Sequence, residues 1–177
     1  MSTSYSQAGQ DLFVLEQLDH KQGGFFLDIG CAYAQTNNNT YLLESQYNWS
    51  GILFDIDPRY TEELGTLRES PFILGDAATM DYITLFKELS VPDVIDYISL
   101  DLDPASNTLK ALKALPLDKY KFKVMTFEHD SYSHGEEEAI EAREYLKSLG
   151  YTLLHKDIPC AFGPFEDWYI LGENKLC

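Results

Sequence analysis

The sequence predicts an α/β domain: an open, mostly parallel sheet with helices on both faces. Short, almost wholly apolar runs of strand length recur along the chain, and segments of helical period separate them. The runs are continuous rather than alternating, which is the pattern of strands covered on both sides. A length of 177 residues suits one domain with a core of its own.

The strands are expected, in order, at Phe25–Ile29, Gly51–Asp55, Phe72–Leu74, Val94–Leu100, Lys123–Phe127, Tyr151–Leu154 and Trp168–Leu171. Most stop at Gly, Pro or an acid, which are strong punctuators. Between them, Glu136–Leu149 is the clearest helix. Ala139, Ala142, Leu146 and Leu149 share a face, three glutamates open it, Lys147 lies near its end and Gly150 stops it. Ile83, Phe86 and Leu89 form a second stripe, and Leu109, Leu112 and Leu115 a third, ended by Pro116. Tyr41–Tyr47 and Asp11–Leu18 complete the set. Only a loop joins the last two strands, so they are expected as an antiparallel hairpin at the sheet edge.

Thirteen basic and 29 acidic residues give a formal net charge of -16, a poor match for a phosphate backbone. No nucleic-acid partner and no membrane span are therefore expected; no run approaches ~18 apolar residues. Cys31, Cys160 and Cys177 are widely spaced and odd in number, which disfavours a disulfide framework or a structural zinc. Residues 1–10 lack the charged and apolar regions of a signal peptide, so a reduced, cytoplasmic protein is the expectation.

Function in such a sheet sits beyond the carboxyl ends of the strands. Those ends carry Asp28, Asp55, Asp57, Asp76, Asp101, Asp103, Glu128 and Asp130. The first crossover, Asp28-Ile29-Gly30-Cys31-Ala32-Tyr33-Ala34, has one glycine and no lysine, so it is neither a dinucleotide fingerprint nor a P-loop. It suits a ligand without pyrophosphate, such as S-adenosylmethionine, whose ammonium and sulfonium groups are positive. Asp55 follows Gly30 by 25 residues, near the ~20-residue offset of a ribose-binding acid. Asp76 is placed to meet the adenine amino group.

The sequence resembles the FkbM-type methyltransferases. The likeness lies in Ser6-Gln7-Ala8-Gly9-Gln10-Asp11, Gly24-Phe25-Phe26-Leu27-Asp28-Ile29-Gly30, Asn39-Thr40-Tyr41-Leu42-Leu43-Glu44 and Trp49-Ser50-Gly51-Ile52-Leu53-Phe54-Asp55. It continues in Asp96-Tyr97-Ile98-Ser99-Leu100-Asp101, Lys119–Val124 with Glu128-His129, and Asp167-Trp168-Tyr169-Ile170. The resemblance implies a class I methyltransferase fold with strand order 3-2-1-4-5-7-6, and methyl transfer from S-adenosylmethionine to a hydroxyl of a small-molecule or sugar acceptor. It implies that Asp28 and Gly30 form the cofactor loop, that Asp55 holds the ribose and that Asp76 lies beside the adenine. Gln7, Gln10 and Asp11 would close over the cofactor, and Thr40 would bind the methionine carboxylate. Residues 1–177 are then one domain, with residues 1–22 an N-terminal helical lid segment. The chain departs from the family pattern at Tyr33 and Ala34, and in reading Asp101-Leu102-Asp103-Pro104 after the fourth strand.

A hydroxyl acceptor benefits from a base. His129 or Asp101 is the expected base, with Glu128 orienting the acceptor, and His134 and Asp103 are further candidates. Asp101, Asp103, Glu128 and Asp130 also form a possible Mg²⁺ set. Tyr33, Tyr132, Phe162, Phe165 and Trp168 are candidates to line an acceptor pocket, with Ser131–Gly135 and Pro159–Pro164 as lids. The alternatives are a methyltransferase-fold module weakened in catalysis and kept for binding or assembly, or an enzyme acting on protein or nucleotide. The oligomeric state stays open, a homodimer included.

Overall fold

The computed structural model describes residues 3–172; Met1 and Cys177 lie outside them. The elements run α1 (Gln10–Gln17), β1 (Phe25–Ile29), α2 (Tyr41–Tyr47), β2 (Ser50–Asp55), α3 (Thr61–Leu67) and β3 (Phe72–Leu74). They continue with α4 (Tyr82–Glu88), β4 (Val94–Leu100), α5 (Ala105–Ala114), β5 (Lys121–Glu128), α6 (Ser131–His134), α7 (Glu137–Ser148), β6 (Tyr151–Cys160) and β7 (Gly163–Leu171). The seven strands form one sheet in the order β3-β2-β1-β4-β5-β7-β6. β7 runs antiparallel to both β5 and β6, and the remaining neighbours are parallel.

Successive strand residues face opposite sides of the sheet, and the two sets of apolar side chains build two cores. Leu27, Ile29, Ile52, Phe54, Ile98, Leu100, Met125 and Phe127 pack with Tyr82 and Phe86 of α4, Leu112 of α5 and Leu146 of α7. Phe26, Leu53, Tyr97, Val124 and Trp168 pack with Phe13 and Val14 of α1, Leu42 and Leu43 of α2 and Leu64 of α3. By the same alternation Asp28, Ser99 and Thr126 take the α1/α2 side, near the carboxyl ends of their strands.

The two final strands are longer than their apolar runs. β6 continues through His155, Lys156 and Asp157 to Cys160, and β7 begins at Gly163, paired with Cys160. β6 is the sheet's edge, its middle is exposed and its register is irregular, so no apolar pattern marks it. α3 and α6 are short helices that periodicity does not announce.

Candidate active site

Two hollows open beyond the carboxyl ends of the strands. The first is narrow, about 40 Å³, and is lined by Asp55, Ile56, Gly75, Asp76, Ala77, Leu102, Asp103 and Asn107. It brings together Asp55 and Asp76, as the sequence predicts. The Asp55 carboxylate is held by two main-chain amides: Ala32 N–H donates to Oδ2 at 3.0 Å and Asp57 N–H to Oδ1 at 2.8 Å. Each oxygen keeps acceptor capacity beyond the one bond it receives.

Gly30 closes the turn after β1 at φ 87°. Its amide donates to Phe54 O (2.9 Å), while Asp101 N–H donates to Ile29 O (2.9 Å), so the crossover is pinned between β2 and the end of β4. Beneath it lies a buried polar network. Thr40 Oγ1 donates to Asp28 Oδ2 at 2.7 Å, Asn38 Nδ2 reaches the same oxygen at 3.3 Å, and Arg68 Nη2 donates to Thr40 Oγ1 at 2.9 Å. Burial raises the Asp28 pKa, against the hydrogen bond from Thr40 and the Arg68 charge. Thr40 is fully buried within this network, and Asn38 Oδ1 already accepts from the first amides of α2, Thr40 N (3.0 Å) and Tyr41 N (2.8 Å). Ala34 is equally buried in the core on the α1/α2 side.

The second hollow is a cavity of about 270 Å³ lined by Gln7, Asp101, Glu128, Asp130, Tyr132, Cys160, Ala161, Phe162 and Phe165. It joins residues of the N-terminal segment, the ends of β4 and β5, and the β6–β7 hairpin. Gln7 reaches it; Gln10 does not. Gln10 is buried, its amide donates to Glu166 Oε2 at 3.0 Å and its carbonyl oxygen accepts from Ala8 N–H at 2.8 Å, which ties α1 to β7. Asp11 is likewise internal, accepting from Ser4, Tyr5 and Ser6. Tyr33 packs edge-on against Tyr60, away from this cavity, and Trp168 belongs to the core.

The acids here raise one another. Burial lifts the Asp101 pKa, and Asp28, Asp130 and Asp55 add to it, against a hydrogen bond from Glu128. Burial, then the charges of Asp101 and Asp130, lift Glu128 further. Glu128 thus holds the proton and donates to Asp101. Glu166, paired with Glu128 across the β5–β7 ladder, is pushed up to about 8, first by burial.

These raised values have a consequence for stability. Between the unfolded glutamate value near 4.5 and about 8, folded Glu166 holds a proton that the unfolded chain releases. Its contribution is complete below that window and is lost as pH rises through it. Each such group gives a slope of about 1.4 kcal/mol per pH unit at most. The melting temperature is expected to fall from pH ~5 to ~8, and Glu166→Gln to flatten the fall. A melting temperature that climbs across this range contradicts the assignment.

His129, the other expected base, follows the last residue of β5. It is fully buried and does not line the cavity. Nδ1 accepts from Ser131 N–H at 3.3 Å and pairs with Ser131 Oγ at 2.8 Å, while Nε2 lies 3.5 Å from Asp167 and 3.8 Å from Asp157. Arg143 of α7 bridges those two carboxylates, donating to Asp167 Oδ2 at 2.7 Å and to Asp157 Oδ1 at 2.5 Å. Despite burial, bonds from His129 and Arg143 hold Asp167 well below the usual carboxylate range.

The Mg²⁺ set is not assembled either, because Asp103 lines the first hollow and Asp101, Glu128 and Asp130 the second. Among the described residues, the group whose ligand atoms gather within 4.8 Å is His129, Asp157 and Asp167. There the Arg143 guanidinium already supplies the positive charge.

Sequence reading misses Arg68, Asn38, Arg143 and Glu166. Only Asn38 had a local signal, an Asn-rich turn just before a helix.

No family model matches the chain, and no curated protein matches its sequence. Solved structures do match the fold. An rRNA methylase from Streptococcus thermophilus aligns over 97% of this chain and 99% of its own, at 16% identity and a TM-score of 0.60. A putative rRNA-methylase from Clostridium thermocellum aligns over the same shares at 18% identity and 0.62. Aeropyrum pernix fibrillarin, in complex with natively bound S-adenosyl-L-methionine, aligns over 85% of this chain and 67% of its own at 13% identity and 0.55. The fold is that of the class I S-adenosylmethionine-dependent methyltransferases. Among the described residues no helix is long and apolar enough to cross a membrane.

Proposed function

We propose that this protein is an S-adenosylmethionine-dependent methyltransferase whose acceptor is a hydroxyl on a small molecule or sugar. The observation that carries the reading is the Asp55 carboxylate, fixed at the end of β2 by Ala32 and Asp57 amides and facing the same hollow as Asp76. The donor set fits the cofactor. Asp28, Asp55, Asp101 and Glu128 bear on one another electrostatically, and their mutual repulsion is relieved by a ligand that is positive at sulfur and nitrogen. Asn39 Oδ1, buried beside Ser99 and accepting no hydrogen bond, is a further acceptor for such a ligand's ammonium. Asp55 would hold the ribose hydroxyls and Asp76 the adenine amino group. The first hollow is narrow, about 40 Å³, so entry of a nucleoside requires it to widen.

When bound, S-adenosylmethionine supplies a methyl carbon whose bond to cationic sulfur breaks with its electron pair staying on sulfur. Asp101 is the residue that takes the acceptor's proton, because Glu128 keeps its own and donates a hydrogen bond to it. His129, bonded through Nδ1 to Ser131 and 3.5 Å from Asp167, serves to fix the end of β5 rather than to touch the acceptor. The resemblance to FkbM-type methyltransferases favours a hydroxyl acceptor. The likeness to rRNA methylases raises RNA as an acceptor, but the cavity's three acids and a net charge of -16 oppose a phosphate backbone.

Titration with S-adenosylhomocysteine is expected to show saturable binding that Asp55→Asn weakens by about tenfold to a hundredfold, the loss of charge-assisted bonds to ribose. Asn keeps an oxygen for one loop amide but sets an NH2 against the other, so the melting temperature is expected to fall by the loss of about one hydrogen bond, roughly 1 kcal/mol. Absence of binding at about millimolar ligand overturns the reading.

A further inference from the structure

We infer that the acceptor is a hydroxyl compound that also carries an ammonium group, of the size of an amino alcohol or a single amino sugar. The inference rests on the methyltransferase reading and names the substrate class of its second cavity. Three observations support it independently. Among the nine residues lining the cavity three are acids and none is Lys, Arg or His. Among the described residues no Lys, Arg or His forms an ion pair with Asp101, Glu128 or Asp130. The third observation concerns the rim, where Tyr132 and Phe162 stack at 5.9 Å with their planes 30° apart.

Phe162 is 81% exposed at the tip of the β6–β7 hairpin. Gly163 brings the backbone against Tyr132, where a Cβ would lie 2.8 Å from the tyrosine Cβ, so the hairpin tip is seated on α6. An aromatic face next to acids that have no basic partner is a receptor for a cation: the rings attract the ammonium and the acids accept its hydrogen bonds. A carboxylate or phosphate on the acceptor meets only repulsion. The volume, about 270 Å³, lies below the ~300–1,000 Å³ of pockets for drug-sized ligands and so limits the acceptor to one ring or a short chain. In this arrangement Asp130, Tyr132 and Phe162 hold the ammonium at the mouth, and Asp101 and Glu128 meet the hydroxyl deeper in.

The test compares matched probes by calorimetric titration of the full chain, with and without S-adenosylhomocysteine. Ethanolamine is set against ethylene glycol, and glucosamine against glucose, with glucuronate as the anionic control. At least one ammonium compound is expected to bind about tenfold or more tighter than its neutral partner, and which pair shows the gap separates an amino alcohol from an amino sugar. Asp130→Asn is expected to remove most of the gap. Phe162→Ala, on a side chain too exposed to matter for folding, is expected to reduce it about two- to fivefold. Equal binding within both pairs, or preference for glucuronate, overturns the inference. Failure of S-adenosylhomocysteine alone overturns the methyltransferase reading while leaving the cation preference measurable, so the two failures are distinguishable.

Discussion

Arg68→Ala is expected to destabilise the fold by about 3–5 kcal/mol, the range for removing one partner of a buried ion pair. The Arg68 side chain is wholly buried and ion-paired through Nε with Glu44. Its other nitrogens reach Ala34 O (3.3 Å), Asn38 Oδ1 (3.1 Å) and Thr40 Oγ1 (2.9 Å), and its plane lies over Phe26 and Tyr41. Glu44 in turn accepts the amides of Glu69 (3.0 Å) and Ser70 (2.6 Å), so it cannot turn out to water without undoing the approach to β3. Deleting the guanidinium strands Glu44 and also removes the charge that opposes protonation of Asp28. Against a typical total of ~5–15 kcal/mol, the loss is large enough to bring the variant near its folding threshold. Arg68→Lys is expected to restore only part, because one ammonium cannot reproduce the fork. Denaturant unfolding measures both, and a loss below about 1 kcal/mol for Arg68→Ala contradicts the network as described.

Gly30→Ala is the second large effect, expected at about 3 kcal/mol or more together with loss of S-adenosylhomocysteine binding. A Cβ there would stand 1.7 Å from the Asp101 carbonyl oxygen. The backbone cannot retreat, because hydrogen bonds to Phe54 and between Asp101 and Ile29 fix it from both sides. Gly9→Ala is the matched control. Gly9 has nearly the same φ, 89°, but nothing within 4 Å of the added carbon, so it bears only the conformational cost of about 1 kcal/mol. The difference between the two variants, read from thermal melts, isolates the close approach of β1 to β4. Similar losses in both variants contradict that approach.

Much of this was legible in the sequence. Strands β1, β2, β4 and β5 announce themselves because both of their faces are largely buried, and β3, though half-exposed at an edge, is still wholly apolar. The acids at their ends are legible for the same reason: an Asp closing an apolar run has nowhere else to go. Alternation also places Asp28 and Glu128 on the α1/α2 side, where Ser99 and Thr126 lie. It further implies that His129, one residue past Glu128, turns to the opposite side, where α7 presents Arg143. The αL conformation of Asp130, φ 45°, then returns the chain to the cavity. What no local pattern carries is long-range pairing. Arg68 looks like the polar end of a short helix until Glu44 is placed against it. Glu166 looks like one more strand acid until Gln10, 156 residues away, donates to it. β6 is hidden because an edge strand can be polar through its middle and still pair.

The cavity of Gln7 and Phe162 has a meaning for biosynthesis as well. Every residue named in the first hollow lies between Asp55 and Asn107, whereas the second needs residue 7 together with residues 160–165. A ribosome adding about 5–20 residues per second presents the first set several seconds before the last strand arrives. Until then Gln10 has no Glu166 to hold it, and the N-terminal segment has no wall to join. The residues of the first hollow are thus synthesised before the walls of the second are complete, and β7, which also supplies Trp168, Tyr169 and Leu171 to the two cores, is the last part of the sheet to be made.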